Sequence, residues 1–190
     1  MEKQRKMKTT QPEQQIVSSQ GLKTSQVFKI QTSAHAFKLL SSGLYSNKIG
    51  AILREIGCNA YDAHVVAGRA HIPFEVKLPN AIDNQFYIKD FGTGLSDADI
   101  KGLYTTYFAS TKQESNDFTG AFGLGSKSPF SYTNSFTIES RHAGINRIYN
   151  VHLDNSGSPA IAEVSETPCG NDTGMTISLP VKREDYHIFK

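Results

Sequence analysis

The chain has 190 residues, with 20 Lys and Arg against 18 Asp and Glu, and a formal charge of +2. Its hydrophobic share of 38% supports one core with polar ends or large loops, since an average globular chain carries about 45–50%. The near-balanced charge argues against a dedicated nucleic-acid surface. The 11 Phe and 8 Tyr exclude a generic disordered chain, and no run of about 18 apolar residues exists to span a membrane. Cys58 and Cys169 make neither a disulfide scaffold nor a four-ligand zinc site. Cys58 falls in a helical pattern and is expected as a buried thiol in a reducing compartment. No apolar segment follows the basic N-terminal residues, so no secretion signal is expected and the reading is cytoplasmic.

Residues 1–20 are polar and Gln/Ser/Lys-rich and read as a tail or arm. Val27–Ile30 fits a short strand and Ser33–Leu40 a short helix. The strongest helix is predicted over Ser46–Ala67, with Ile49, Ile52, Leu53, Ile56, Ala60 and Ala63 at helical spacing. Gly50 and Gly57 each weaken that helix by about 1 kcal/mol relative to Ala, which calls for a packing or functional reason. His35 and His64 read as ordinary helix residues. His71–Leu78 and Gln85–Phe91 are strand-like, and Ser96 with Asp99 opens a short helix. Residues 104–127 hold three glycines and little periodicity, as a long loop with a job would. Phe136–Ser140, Arg147–Leu153, Ala160–Val164 and Met175–Leu179 follow as strands. The order predicts an α+β, two-layer sandwich with helices on one face of a mostly antiparallel sheet. It would occupy residues 21–182, and residues 183–190 read as the start of a following element of a longer protein.

Three stretches carry chemistry. Glu55, Asn59 and Asp62 fall at i, i+4 and i+7, within roughly 60° of the helix circumference. Two carboxylates and an amide on one stripe offer oxygen ligands suited to Mg²⁺, and Glu55 could instead activate water. A solvated helix face is the plain alternative. Asp90-Phe-Gly92-Thr-Gly94 ends an apolar strand; its Asp can accept a proton from a ligand amine where glycines let backbone approach a flat ring, or it can be a tight turn. Gly120-Ala-Phe122-Gly123-Leu124-Gly125-Ser-Lys127 can expose successive N–H groups to phosphate, with a helix starting near Leu124 and Lys127 as a point charge. It matches neither the P-loop nor the dinucleotide fingerprint. Thr105, Thr106, Ser110, Thr111 and Lys112 suit a lid over phosphates, or plain surface.

In this order the three stretches resemble the GHKL ATPase superfamily, which includes Hsp90 chaperones, type II topoisomerase ATPase domains, MutL proteins and histidine-kinase catalytic domains. Glu55-Ile-Gly-Cys-Asn59-Ala-Tyr-Asp62-Ala63 is similar to that family's first motif. Asp90-Phe-Gly92-Thr-Gly94 is similar to its DxGxG motif. Gly120–Gly125 resembles its glycine-rich lid box, and Ser110-Thr-Lys112 the Hsp90-like lid entry. Within the superfamily, Leu53–His64 and Phe122–Phe130 most resemble the N-terminal region of phage rIIA-type rapid-lysis proteins.

The resemblance implies the Bergerat fold and MgATP or ADP as ligand. Glu55 would be the general base for water. Asn59 would hold Mg²⁺, Asp90 would take the adenine amino group, and Gly92 and Gly94 would leave room for the base. Asp62 would support the adenine side through water or backbone. Gly120, Gly123 and Gly125, with Phe122, Leu124, Lys112 and Lys127, would form the phosphate lid. The family's Gly-Thr pair before the final strand is reversed here, in Asp172-Thr173-Gly174-Met175-Thr176, so either Thr173 or Thr176 could serve, with Thr173 favoured because it flanks the glycine. The family further implies a nucleotide-dependent homodimer, an unknown host or phage protein partner, and slow turnover without the lysine that a following domain supplies. A non-hydrolysing GHKL-like interaction module is the alternative.

Overall fold

Helix α1 (Lys48–Val66) begins two residues later than the apolar spacing suggests, because Asn47 caps it. Asn47 Oδ1 accepts the Gly50 N–H at 2.8 Å, which satisfies one of the helix's open donors. A side chain at position 50 would meet the Asn47 amide at 2.7 Å, so the cap itself accounts for Gly50. Ile49, Ile52, Ile56 and Ala60 form the buried stripe, as their spacing predicts. Cys58, expected to be buried, is only half-buried, because it lies off that stripe. This computed structural model describes residues 45–105 and 125–189, within a compact unit Thr32–Lys190. The expected tail, Val27–Ile30, Ser33–Leu40, His35, and the lid residues Lys112, Gly120, Phe122, Gly123 and Leu124 lie outside the described residues.

The described strands are β1 (Glu75–Lys77), β2 (Gln85–Lys89), β3 (Ser135–His142), β4 (Ile145–Leu153), β5 (Pro159–Pro168) and β6 (Gly174–Pro180). They form one sheet in the order β1-β2-β6-β3-β4-β5, with every neighbouring pair antiparallel. Alternation puts Phe86, Ile88, Phe136, Ile138, Tyr149, Val151 and Leu179 on the core face. There they pack with the α1 stripe, with Ile100 and Tyr104 of helix α2 (Asp97–Thr105), and with Phe130 of a 3-10 helix (Gly125–Ser131). The α+β class expected from element order is the observed one.

The differences from the predicted elements have local causes. β1 covers only three of the eight residues expected to be extended there, because Pro73 has no N–H to give and the Ile72 carbonyl is engaged by a helix side chain. β3 and β4 run longer than predicted because Ala143 and Gly144, both at positive φ, close a tight hairpin between them. Gly125, Ser126 and Lys127, expected in the loop 104–127, begin the 3-10 helix. Ser96 does cap α2: its Oγ accepts the Asp99 N–H at 3.2 Å and donates back to the Asp99 carboxylate at 2.5 Å. At the chain's end, Phe189 stacks 5.0 Å from Phe86 and 6.0 Å from Tyr132, so residues up to 189 contribute to this core.

Gly57 has no neighbour within 4 Å of where a Cβ would stand, among the described residues. Gly57→Ala should therefore stabilise the fold by about 0.5–1 kcal/mol, read as a higher urea midpoint at unchanged slope.

Candidate functional site

The site gathers at one end of the sheet, where β2 runs out at Lys89 and β6 begins at Gly174. Asp90 follows β2 directly and is 7% exposed. Its Oδ1 accepts the Gly92 N–H at 2.9 Å and the Met175 N–H at 3.1 Å, and its own N–H donates to the Met175 carbonyl at 2.8 Å. Among the described residues no donor reaches Oδ2. Burial raises the Asp90 pKa above the ordinary carboxylate value; the Gly92 and Met175 N–H bonds oppose the shift without cancelling it. This is a buried carboxylate with one oxygen fixed by backbone and the other left for a donor.

Glycines make this packing possible. Gly174 sits at φ 124, and any side chain there would collide with the Asp90 carbonyl. A Cβ at Gly92 would stand 2.8 Å from the Ala63 Cβ, and one at Gly94 would strike the Arg141 carbonyl. The sequence suggested that Gly92 and Gly94 make room for a flat ligand. Here the neighbours that need the space are helix α1 and strand β3. Leu95, next in line, is clasped by Ser140, whose Oγ accepts the Leu95 N–H at 2.9 Å and donates to the Leu95 carbonyl at 2.8 Å.

Helix α1 brings the acidic stripe to this end of the sheet. Asp62 is buried at 3% exposure, while Asn59 is half-buried. Glu55 has a side chain 19% exposed and pairs through Oε1 with Arg54 Nη2 at 2.7 Å. Its Oε2 lies where a Cβ on Gly125 would stand, at 2.5 Å. Glu55 thus meets the first residue of the 3-10 helix, the only one of the lid-box glycines among the described residues. Lys127, two residues on, is buried against helix α2. It is 5% exposed, and Nζ donates to the Leu103 carbonyl at 2.6 Å. Burial lowers its pKa from 10.5 to about 8.

The two threonine candidates are both otherwise engaged. Thr173 Oγ1 accepts from Arg69 Nη1 at 3.0 Å, and Thr176 Oγ1 faces the Arg141 guanidinium at 3.4–3.5 Å. Met175 is the residue that touches Asp90, through its backbone. The sequence held a signal for this: Met175 directly follows Gly174, where the Gly-Thr pair puts its threonine. Sequence reasoning also missed His64 and Arg69. His64 is not an ordinary helix residue; it is 1% exposed, and its Nε2 accepts the Phe91 N–H at 2.7 Å. Arg69 donates to the Phe91 carbonyl at 2.6 Å. Among the described residues no group of three His, Cys, Asp or Glu side chains is placed to hold a metal, and no helix is long and apolar enough to cross a membrane.

The raised Asp90 pKa has a sign. The folded state keeps this proton to higher pH than the unfolded chain, so stability falls as pH rises from 3.8 through the folded value. Asp90→Asn keeps an oxygen for both N–H donors and removes the buried charge. Its unfolding free energy at neutral pH should equal or exceed that of the parent chain, and its advantage should shrink as pH falls toward 4; a large loss at pH 7 would contradict this.

Comparison with known proteins agrees with the geometry. The sequence profile of the family described as "Histidine kinase-, DNA gyrase B-, and HSP90-like ATPase" matches residues 47–173, about two thirds of the chain. Chaperone protein HtpG of Rickettsia typhi is 30% identical over 149 residues, covering 66% of this chain and 24% of its own length. HtpG of Rickettsia canadensis is 28% identical over 170 residues, 77% of this chain and 26% of its own. HtpG of Treponema denticola is 25% identical over 163 residues, 74% and 25%. The chain thus spans about a quarter of the length of the curated relatives it matches. With its antiparallel sheet, its Glu55–Asn59–Asp62 helix and its buried strand-end Asp90, the chain belongs to the histidine kinase-, DNA gyrase B- and HSP90-like ATPase family.

Proposed function

We propose that this domain binds an adenine nucleotide with Mg²⁺ and hydrolyses ATP slowly, using nucleotide-dependent closure of the segment around 104–127 as a conformational signal. The observation that carries the reading is Asp90. A buried carboxylate whose Oδ1 is fixed by Gly92 and Met175 presents Oδ2 as an acceptor for an exocyclic amine, which adenine supplies and guanine lacks at that position. Family membership and the HtpG relatives support the nucleotide class.

On this reading Asp90 selects the base, with Asp62 behind it. Asn59 holds Mg²⁺ together with the phosphates. The donor set fits: one amide oxygen on α1 beside a carboxylate suits an ion that takes most ligands from phosphate and water. When bound, the ion offsets charge on the transferring phosphoryl group. Glu55 orients the attacking water and takes its proton. Its pairing with the exposed Arg54 is weak in water and leaves the carboxylate available to that water. Gly125 lets the phosphate-side backbone approach Glu55. Gly120, Gly123, Phe122, Leu124 and Lys112 would complete the lid, and Lys127 would join it with an N–H not given to Leu103. Thr173 and Thr176 accept from their arginines and keep their own O–H to donate toward the base side.

The resemblance of the runs Leu53–His64 and Phe122–Phe130 to phage rIIA-type proteins supports, on this proposal, action in the bacterial cytoplasm. There the intact protein would dimerise on nucleotide and act on a host or phage partner.

Calorimetry with ADP and a non-hydrolysable ATP analogue, with and without Mg²⁺, tests the core of this. Binding should require Mg²⁺ for full affinity. Asn59→Ala should remove the magnesium dependence. Glu55→Ala should bind normally and lose turnover. No heat and no thermal shift at millimolar nucleotide would favour an interaction module instead.

A further inference from the structure

The two peptide groups that flank Phe91, directly after Asp90, are held by helix α1 and the turn after it. The Phe91 N–H donates to His64 Nε2 at 2.7 Å, and the Phe91 carbonyl accepts from Arg69 Nη1 at 2.6 Å. The other ring nitrogen of His64, Nδ1, lies 2.8 Å from the Ile72 carbonyl. A backbone N–H can only donate and a carbonyl can only accept, so one protonation state satisfies both contacts. His64 must be neutral, with its proton on Nδ1 and a lone pair on Nε2. The ring has little freedom otherwise: it is 1% exposed and packs 6.4 Å from Phe74 and 6.1 Å from Phe91.

We propose that His64 is a positioning residue for the base-selecting carboxylate: its neutral Nδ1–H form fixes the Phe91 peptide and, through it, the direction of Asp90. The inference rests on the nucleotide reading of the site. It names the residue that sets the geometry of Asp90 without touching ligand. A proton on Nε2 removes the acceptor for Phe91 N–H and leaves two buried donors facing each other. The Asp90 loop must then shift, and base recognition weakens. The order of the Asp90 loop, and with it nucleotide affinity, therefore depends on an acceptor at the place of His64 Nε2.

Two substitutions separate position from mere bulk. His64→Leu fills the space and leaves the Phe91 N–H without an acceptor. His64→Gln carries an oxygen about as far from the backbone as Nε2 and cannot be protonated. ADP affinity would be measured on the full 190-residue chain at about pH 7.5, with thermal unfolding alongside and ¹⁵N resonances of the His64 ring recorded in the parent chain. His64→Leu should bind ADP about tenfold or more weakly, and His64→Gln within about threefold of the parent. The ring should show the Nδ1–H tautomer.

A folded His64→Leu with parental affinity overturns the inference. So does a folded His64→Gln that binds as weakly as His64→Leu, or a ring protonated on Nε2. Should His64→Leu fail to fold, the His64→Gln affinity and the ring resonances decide. A parent chain that binds no ADP overturns the nucleotide reading, and this inference with it. A parent that binds while both variants match its affinity overturns this inference alone.

Discussion

The structure turns on one buried carboxylate oxygen. Asp90 Oδ1 accepts two backbone N–H groups, one from its own loop and one from β6. Those bonds let a charged group sit inside the protein at the place where β2, β6 and helix α1 converge. Without them, burial would leave an unsatisfied acceptor or force its protonation. Several neighbouring choices serve the same end. Gly174 lets β6 approach the Asp90 carbonyl, Gly92 lets α1 approach the loop, and Ser140 ties the loop's exit to β3. Burial still raises the Asp90 pKa, so the ionised form is held at some cost to stability.

Much of this was legible in the sequence, and for physical reasons. The stripe Ile49–Ile52–Ile56–Ala60 has helical period and a sheet-wide apolar surface to cover. β3, β4 and β6 alternate with period two because one face is core and the other is polar. Glu55, Asn59, Asp62 and Asp90 stood out because polar groups sat at fixed spacing within otherwise apolar elements. The short β1 and the long hairpin were less legible. Their limits depend on where a partner carbonyl is used, at Ile72, and on the positive φ of Ala143 and Gly144.

The residues that were missed act across long sequence distances. His64 meets a peptide 27 residues away, and Arg69 meets Thr173 across 104. Nothing local distinguishes such a histidine from any other on a helix. Lys127 shows a contact of the same long-range kind: a lysine after a glycine run suggests a phosphate ligand, and here its stem is buried and its ammonium donates to the Leu103 carbonyl. Thr173 and Thr176 were chosen by residue type. The contact with Asp90 is made by the backbone of Met175, which any residue other than proline provides.

The most direct test of the account compares ADP with inosine diphosphate. The two differ along one edge of the base: the amino donor becomes a carbonyl acceptor and the neighbouring ring nitrogen gains a proton. An oxygen there would face the acceptor Oδ2 of Asp90 in a buried setting, and the ring N–H would meet it only after the base shifts from its place. The account predicts that inosine diphosphate binds at least about tenfold more weakly than ADP, the loss expected when a buried hydrogen bond to a charged group is removed. Equal affinity for the two nucleotides would contradict the assignment of Asp90 as the group that selects the base.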